Sequence, residues 1–74
     1  MKACFIKLYC LEDTENSVIT INANNISTIR RMTYNDVLQT MVMMMGGERF
    51  GVTDTPKEIM EAIEKEMSKE PAYN

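Results

Sequence analysis

Apolar and polar residues alternate from Lys2 to Leu11, with Cys4, Ile6, Leu8 and Cys10 on one side and Phe5, Lys7, Tyr9 and Leu11 on the other. A period of two is that of a strand, and the side carrying Lys7 and Tyr9 is the more polar, so Cys4, Ile6 and Leu8 are expected to face a core. The polar run Glu12 to Ser17 predicts a loop, because such side chains favour turns over ladders. Val18 to Asn22 is rich in β-branched residues and predicts a second strand, with Ile19 and Ile21 on one face. A turn at Ala23-Asn24-Asn25 follows. Ile26 and Ile29, three apart, break strict alternation, so a bulge or helical turn is expected before a third strand that runs on to Met32. Thr33 to Asp36 predicts another turn or loop.

Two strand-like runs, Thr40 to Met45 and Glu48 to Val52, flank Gly46-Gly47. A glycine pair accepts positive φ at both central positions, so a hairpin with a tight two-residue turn is expected, with Val42, Met44, Phe50 and Val52 on one face. Thr55-Pro56-Lys57-Glu58 then opens a helix: Thr55 caps, Pro56 fills the first position, and Glu58 completes a capping box. Ile59, Met60, Ile63 and Met67 predict its apolar stripe. Pro71 ends the pattern, giving a helix over about 56–69 and a tail over 70–74. The fold class expected is α+β, a small antiparallel sheet of four or five short strands with one C-terminal helix packed on it, in a single domain over 1–74.

Composition narrows the function classes. A chain of 74 residues buries a small share of its unfolded surface, so self-association is an economical source of extra core. Cys4 and Cys10 in one strand stand ~20 Å apart, too far for a disulfide, and a chain this small without a disulfide framework points to a reducing, cytoplasmic compartment. Lys7 interrupts the apolar run that an export signal needs, and no run approaches a membrane span. The net charge of −3 is uneven: residues 1–37 hold four basic and four acidic side chains, residues 38–74 four and seven. An acidic chain has no general attraction for phosphate backbones, so neither nucleic acid nor membrane is expected as a partner.

Histidine, the commonest acid–base group, is absent from the chain, and two distant thiols cannot share a metal. No catalytic, metal or cofactor site is read, and the chain is not expected to be an enzyme. The cysteines read as apolar filler and the helix glutamates as a solvated face. Gly46-Gly47 lacks the helix, lysine and hydroxyl of a phosphate loop. Met41, Met43 and Met45 are the candidate interface, because adaptable methionines on both faces of one strand exceed what a single helix covers. Arg30-Arg31 is the one adjacent basic pair. Successive strand residues point to opposite faces, so one of the two is expected at any single site, where symmetry-related copies of Arg30 or Arg31, with Lys7 or Tyr9, grip a small anion by bidentate contacts and stacking.

The apolar spacing of the first strand, Ile-x-Ile-Asn at 19–22, Ile26 and Ile29, the glycine turn between Thr40 and Phe50, and Val52-Thr53-Asp54-Thr55 leading into Glu58-Ile59 resemble the FlbD-like family of very short bacterial and phage proteins. The resemblance covers most of residues 3–63 and implies a compact sheet-plus-helix adaptor or regulator, with no catalytic motif. The expected function is a non-enzymatic protein-interaction or regulatory module acting through an exposed sheet face, with itself and a further protein as partners. The alternative is a phage-type protein that sequesters an anionic small molecule, such as a nucleotide signal, at an oligomer interface.

Overall fold

The computed structural model describes residues 3–11 and 17–69. Among these residues five strands and a helix run in the order β1 (Phe5–Tyr9), β2 (Val18–Asn22), β3 (Ile26–Tyr34), β4 (Val37–Met44), β5 (Arg49–Val52) and α1 (Pro56–Met67). The fold is α+β, and all strand pairs are antiparallel. The strands do not form one sheet, however: β1 and β2 make a two-stranded sheet, and β3, β4 and β5 make a three-stranded one in that order. Among the described residues a single bridge, Cys10 to Val52, joins them, flanked by Leu11 N–H donating to Gly51 O at 3.0 Å and Thr53 N–H to Tyr9 O at 2.8 Å. Only the last residues of the first strand meet β5, which is why the ladder is too short to merge the two sheets.

Local chemistry explains most elements. Cys4, Ile6 and Leu8 are buried, as the alternation predicts, whereas Phe5, Lys7 and Tyr9 are exposed. Lys2, the expected loop at 12–16 and the tail at 70–74 lie outside the described residues. Ala23–Asn25 forms a 3-10 turn capped by the Asn22 side chain, which accepts from Asn24 N–H at 3.1 Å. The expected irregularity is a bulge: pairing shifts between Ile26, opposite Met44, and Thr28, opposite Met43. The extra residue reverses the parity, so Ile26 and Ile29, three apart, both pack toward the core.

Two turns differ from expectation. β3 continues through Thr33 and Tyr34, and the reversal is made by Asn35 and Asp36 alone, at φ 51° and 63°. Both positions are left-handed, which Asn and Asp tolerate better than other non-glycine residues and which matches the twist of a two-residue hairpin. The glycine turn is instead a three-residue connection over 45–47: Met44 N–H donates to Glu48 O at 2.8 Å, Gly47 N–H to Met44 O at 3.0 Å, and Gly47 alone takes positive φ, 98°. The shared face is nevertheless as expected, with Val42 opposite Phe50 and Thr40 opposite Val52.

The helix starts as predicted. Thr55 N–H donates to the Glu58 carboxylate at 2.8 Å, and Glu58 N–H donates to the Thr55 hydroxyl at 3.1 Å. α1 packs on β1 and reaches β3, closing a core of Cys4, Ile6, Leu8, Ile21, Val42, Val52 and Ile59. Its core-facing stripe is the buried Ile59 with the half-buried Ala62 and Ile63, and Met60 and Met67 are exposed. At about 100° per residue, Met60 sits a quarter-turn from Ile59 and Met67 lies on that same flank, so neither reaches the sheet. The helix stops at Met67, with Ser68 as its cap.

Candidate functional site

Among the described residues α1 packs on one side of the two sheets, and the opposite side is open. The pairing fixes which side chains project there. On β3 they are Thr28, Arg30, Met32 and Tyr34, set against Met43, Met41, Gln39 and Val37 of β4. Arg49 and Gly51 of β5 continue the Met43 and Met41 rows. Leu11 comes beside Gly51, its Cδ1 3.9 Å from where a Cβ on that glycine would sit, so Tyr9, Lys7 and Phe5 belong to the same side. The charges among these strand positions are Lys7, Arg30 and Arg49, and none is a carboxylate.

Arg30 stands opposite Met41, and Arg49 stands opposite Met43. Two guanidiniums therefore rise from the strands on either side of β4, with half-buried methionines between them. A groove of about 480 Å³ follows this arrangement, bounded by Arg30, Arg49, Met41, Met43 and, toward the hairpin tip, Met32 and Tyr34. Gln39, although polar, is buried: its Nε2 donates to Tyr34 O at 3.3 Å and Val37 O at 3.2 Å, and its Oε1 occupies the space beside Gly51. Gly51 makes room for this amide, since a Cβ there would collide with Oε1.

The sequence-derived ligand set is divided by the fold. Arg30 lines the groove. Arg31, the next residue, points to the opposite face, where its Nη1 donates to the buried Thr40 hydroxyl at 2.8 Å. Lys7 and Tyr9 share the open side but lie on β1; at ~4.8 Å per strand spacing, three spacings place them ~14 Å or more from β3. Of the interface set, Met41 and Met43 share the groove floor, whereas Met45 lies in the turn, 70% exposed, with its N–H donating to Asn25 O at 2.6 Å.

Arg49 is the residue that sequence reasoning missed. Its signal is the odd parity it shares with Met43 and Met41 across the hairpin, which becomes usable once the loop length is known. Chemically, the site can neutralise an anion and bury a flat apolar group. Among the described residues no three of Cys, Asp and Glu come together in a group that could hold a metal, and no helix is long and apolar enough to cross a membrane. No protein-family model, curated protein or solved structure matches the chain.

Proposed function

We propose that the protein is a non-enzymatic interaction or regulatory module that works in the cytoplasm through the open face of its β-layer and assembles as a homo-oligomer. The observation that carries this reading is that face itself, where Phe5, Tyr9 and Val18 of the first sheet and Tyr34 and Val37 of the second are exposed on the side that also carries Met41 and Met43, opposite the side that α1 covers. Large apolar side chains left in water on one side of a small sheet mark a surface that is covered in use. Methionine adapts to irregular partners, which suits a binding surface better than a rigid core. The FlbD-like resemblance favours the same class of function. Kinship with that family is part of this proposal.

Native mass spectrometry of the protein as purified, with Met41→Glu beside the wild type, tests this. The expected result is a multiple of the chain mass that Met41→Glu reduces. A wild-type monomer at every concentration overturns the oligomer, and a Met41→Glu variant that keeps both assembly and partners overturns the face.

A second reading has its own observation. Arg30 and Arg49, flanking methionines with no carboxylate on the same strand face, favour capture of a small anion, the behaviour of a sequestering protein. Extra mass retained on the purified protein, lost in Arg30→Gln, supports this reading, and identical spectra for the two proteins count against it.

A further inference from the structure

We propose that the groove over Met41 and Met43 is a complete small-molecule site within one chain, taking an aromatic phosphate monoester whose phosphate is gripped by Arg30 and Arg49. This rests on the reading that the open sheet face is the working surface, and it specifies which part of that face binds what.

Charge placement comes first. The chain carries eleven acidic residues against eight basic ones, yet neither Arg30 nor Arg49 has an ion-pair partner among the described residues. Two such guanidiniums on either side of one strand form a cationic patch that no carboxylate among the described residues pairs with. The planar fork of each arginine presents paired N–H donors, and a phosphate monoester offers three terminal oxygens with close to two negative charges. Two forks match that anion in charge and in acceptor number, whereas a single carboxylate leaves one fork unused.

The floor sets the remainder of the ligand. Met41 and Met43 are apolar and half-buried, and Met32 and Tyr34 extend the groove toward the hairpin tip. A bare phosphate gains nothing from such a floor. A flat ring attached to the phosphate covers the methionine sulfurs and lies along Tyr34, removing apolar surface from water. The volume, about 480 Å³, falls within the range of small-molecule pockets. Arg31 belongs to the other face and Lys7 to a distant strand, so neither takes part.

The probe is 1-naphthyl phosphate, followed by fluorescence anisotropy; the chain has no tryptophan to interfere with naphthyl emission. Saturable binding of one ligand per chain is expected, weakened roughly tenfold or more in Arg30→Gln and in Arg49→Gln, because each removes charge-assisted hydrogen bonds. Arg31→Gln is expected to bind as the wild type does. Uncharged 1-naphthol and inorganic phosphate, each missing half of the ligand, are expected to compete only at far higher concentration. Unchanged thermal midpoints show that the two exposed arginine variants remain folded. The site is overturned if the probe does not bind at millimolar concentration, if Arg30→Gln and Arg49→Gln bind normally, or if Arg31→Gln loses as much as they do. If the site fails while Met41→Glu still breaks the assembly, the working face stands and this site falls; if Met41→Glu is also silent, the face falls with it.

Discussion

The strands β3 and β4 behave as two different structures along their length. At Ile29, Thr40 and Val42 they are the floor of a core closed by α1; from Thr33 to Leu38 every side chain is exposed. The reason is length. A helix of 12 residues reaches about 18 Å, whereas strands of nine and eight residues run nearly 30 Å, so the hairpin overhangs its cover. The molecule measures 51 × 25 × 20 Å, and its radius of gyration of 13.3 Å exceeds the ~11 Å typical of a chain this long. The base is held by apolar burial. The arm is held by its ladder, by the left-handed Asn35-Asp36 turn and by the buried Gln39 amide on two carbonyls of the turn.

The largest test of that contrast is at Ile59, which is 0% exposed at the centre of the base. Ile59→Ala removes packed methyl groups from the core beneath the sheets and is expected to cost about 2–5 kcal/mol in urea unfolding. A loss below about 1 kcal/mol means that α1 is not the element that closes the core.

A smaller effect separates the mechanisms. Asn35 holds φ 51° at the tip of the arm, so Asn35→Val, which puts a β-branched side chain in a left-handed position, is expected to cost about 1–2 kcal/mol, and Asn35→Gly almost nothing. Hydrogen exchange locates the loss: faster exchange in Thr33 to Leu38 with unchanged protection at Leu8 and Val42 is the expected pattern. Uniform acceleration across both regions contradicts an arm that opens independently of the base.

These regions also differ in how far they could be read from the residues alone. The helix start, the Val18–Asn22 strand and the inward side of β1 follow from local rules of capping, branching and alternation, and Ile26 with Ile29 announced the bulge through spacing. What escaped depends on partners remote in sequence. Tyr34 looked like part of a turn because nothing local says that the strand continues, and Met60 and Met67 looked like core because helical spacing does not say how wide a face the sheet will cover. The candidate site suffered most. That Arg30 and Arg31 point to opposite faces follows from strand alternation, but which of them lines the groove, and that Arg49, nineteen residues after Arg30, arrives on Arg30's face, depends on two hairpin registers.

Thr55 offers an intermediate case within the base. Thr55→Ala removes the oxygen that receives Glu58 N–H and is expected to cost about 1 kcal/mol by urea denaturation, with Thr55→Ser restoring most of it. If the serine variant is as weak as the alanine, the threonine acts through its methyl group and not through the cap.

The smallest effect on stability is expected in the arm, at Leu38, and it carries the most information about use. Leu38 is 58% exposed beside Val37, on the inner face where the cover has run out. In an isolated chain, Leu38→Ser should shift the unfolding free energy by no more than about 0.5 kcal/mol, since little of the side chain has been taken from water. Under conditions where the protein assembles, the same substitution should lower the molar mass seen by light scattering if the overhang is covered by a neighbouring copy. A large stability loss in dilute monomer contradicts the overhang itself, because it requires Leu38 to be packed within its own chain. A silent result in both measurements leaves the arm intact as structure but removes it from the assembly, and places the whole interface on the open face with Met41 and Met43.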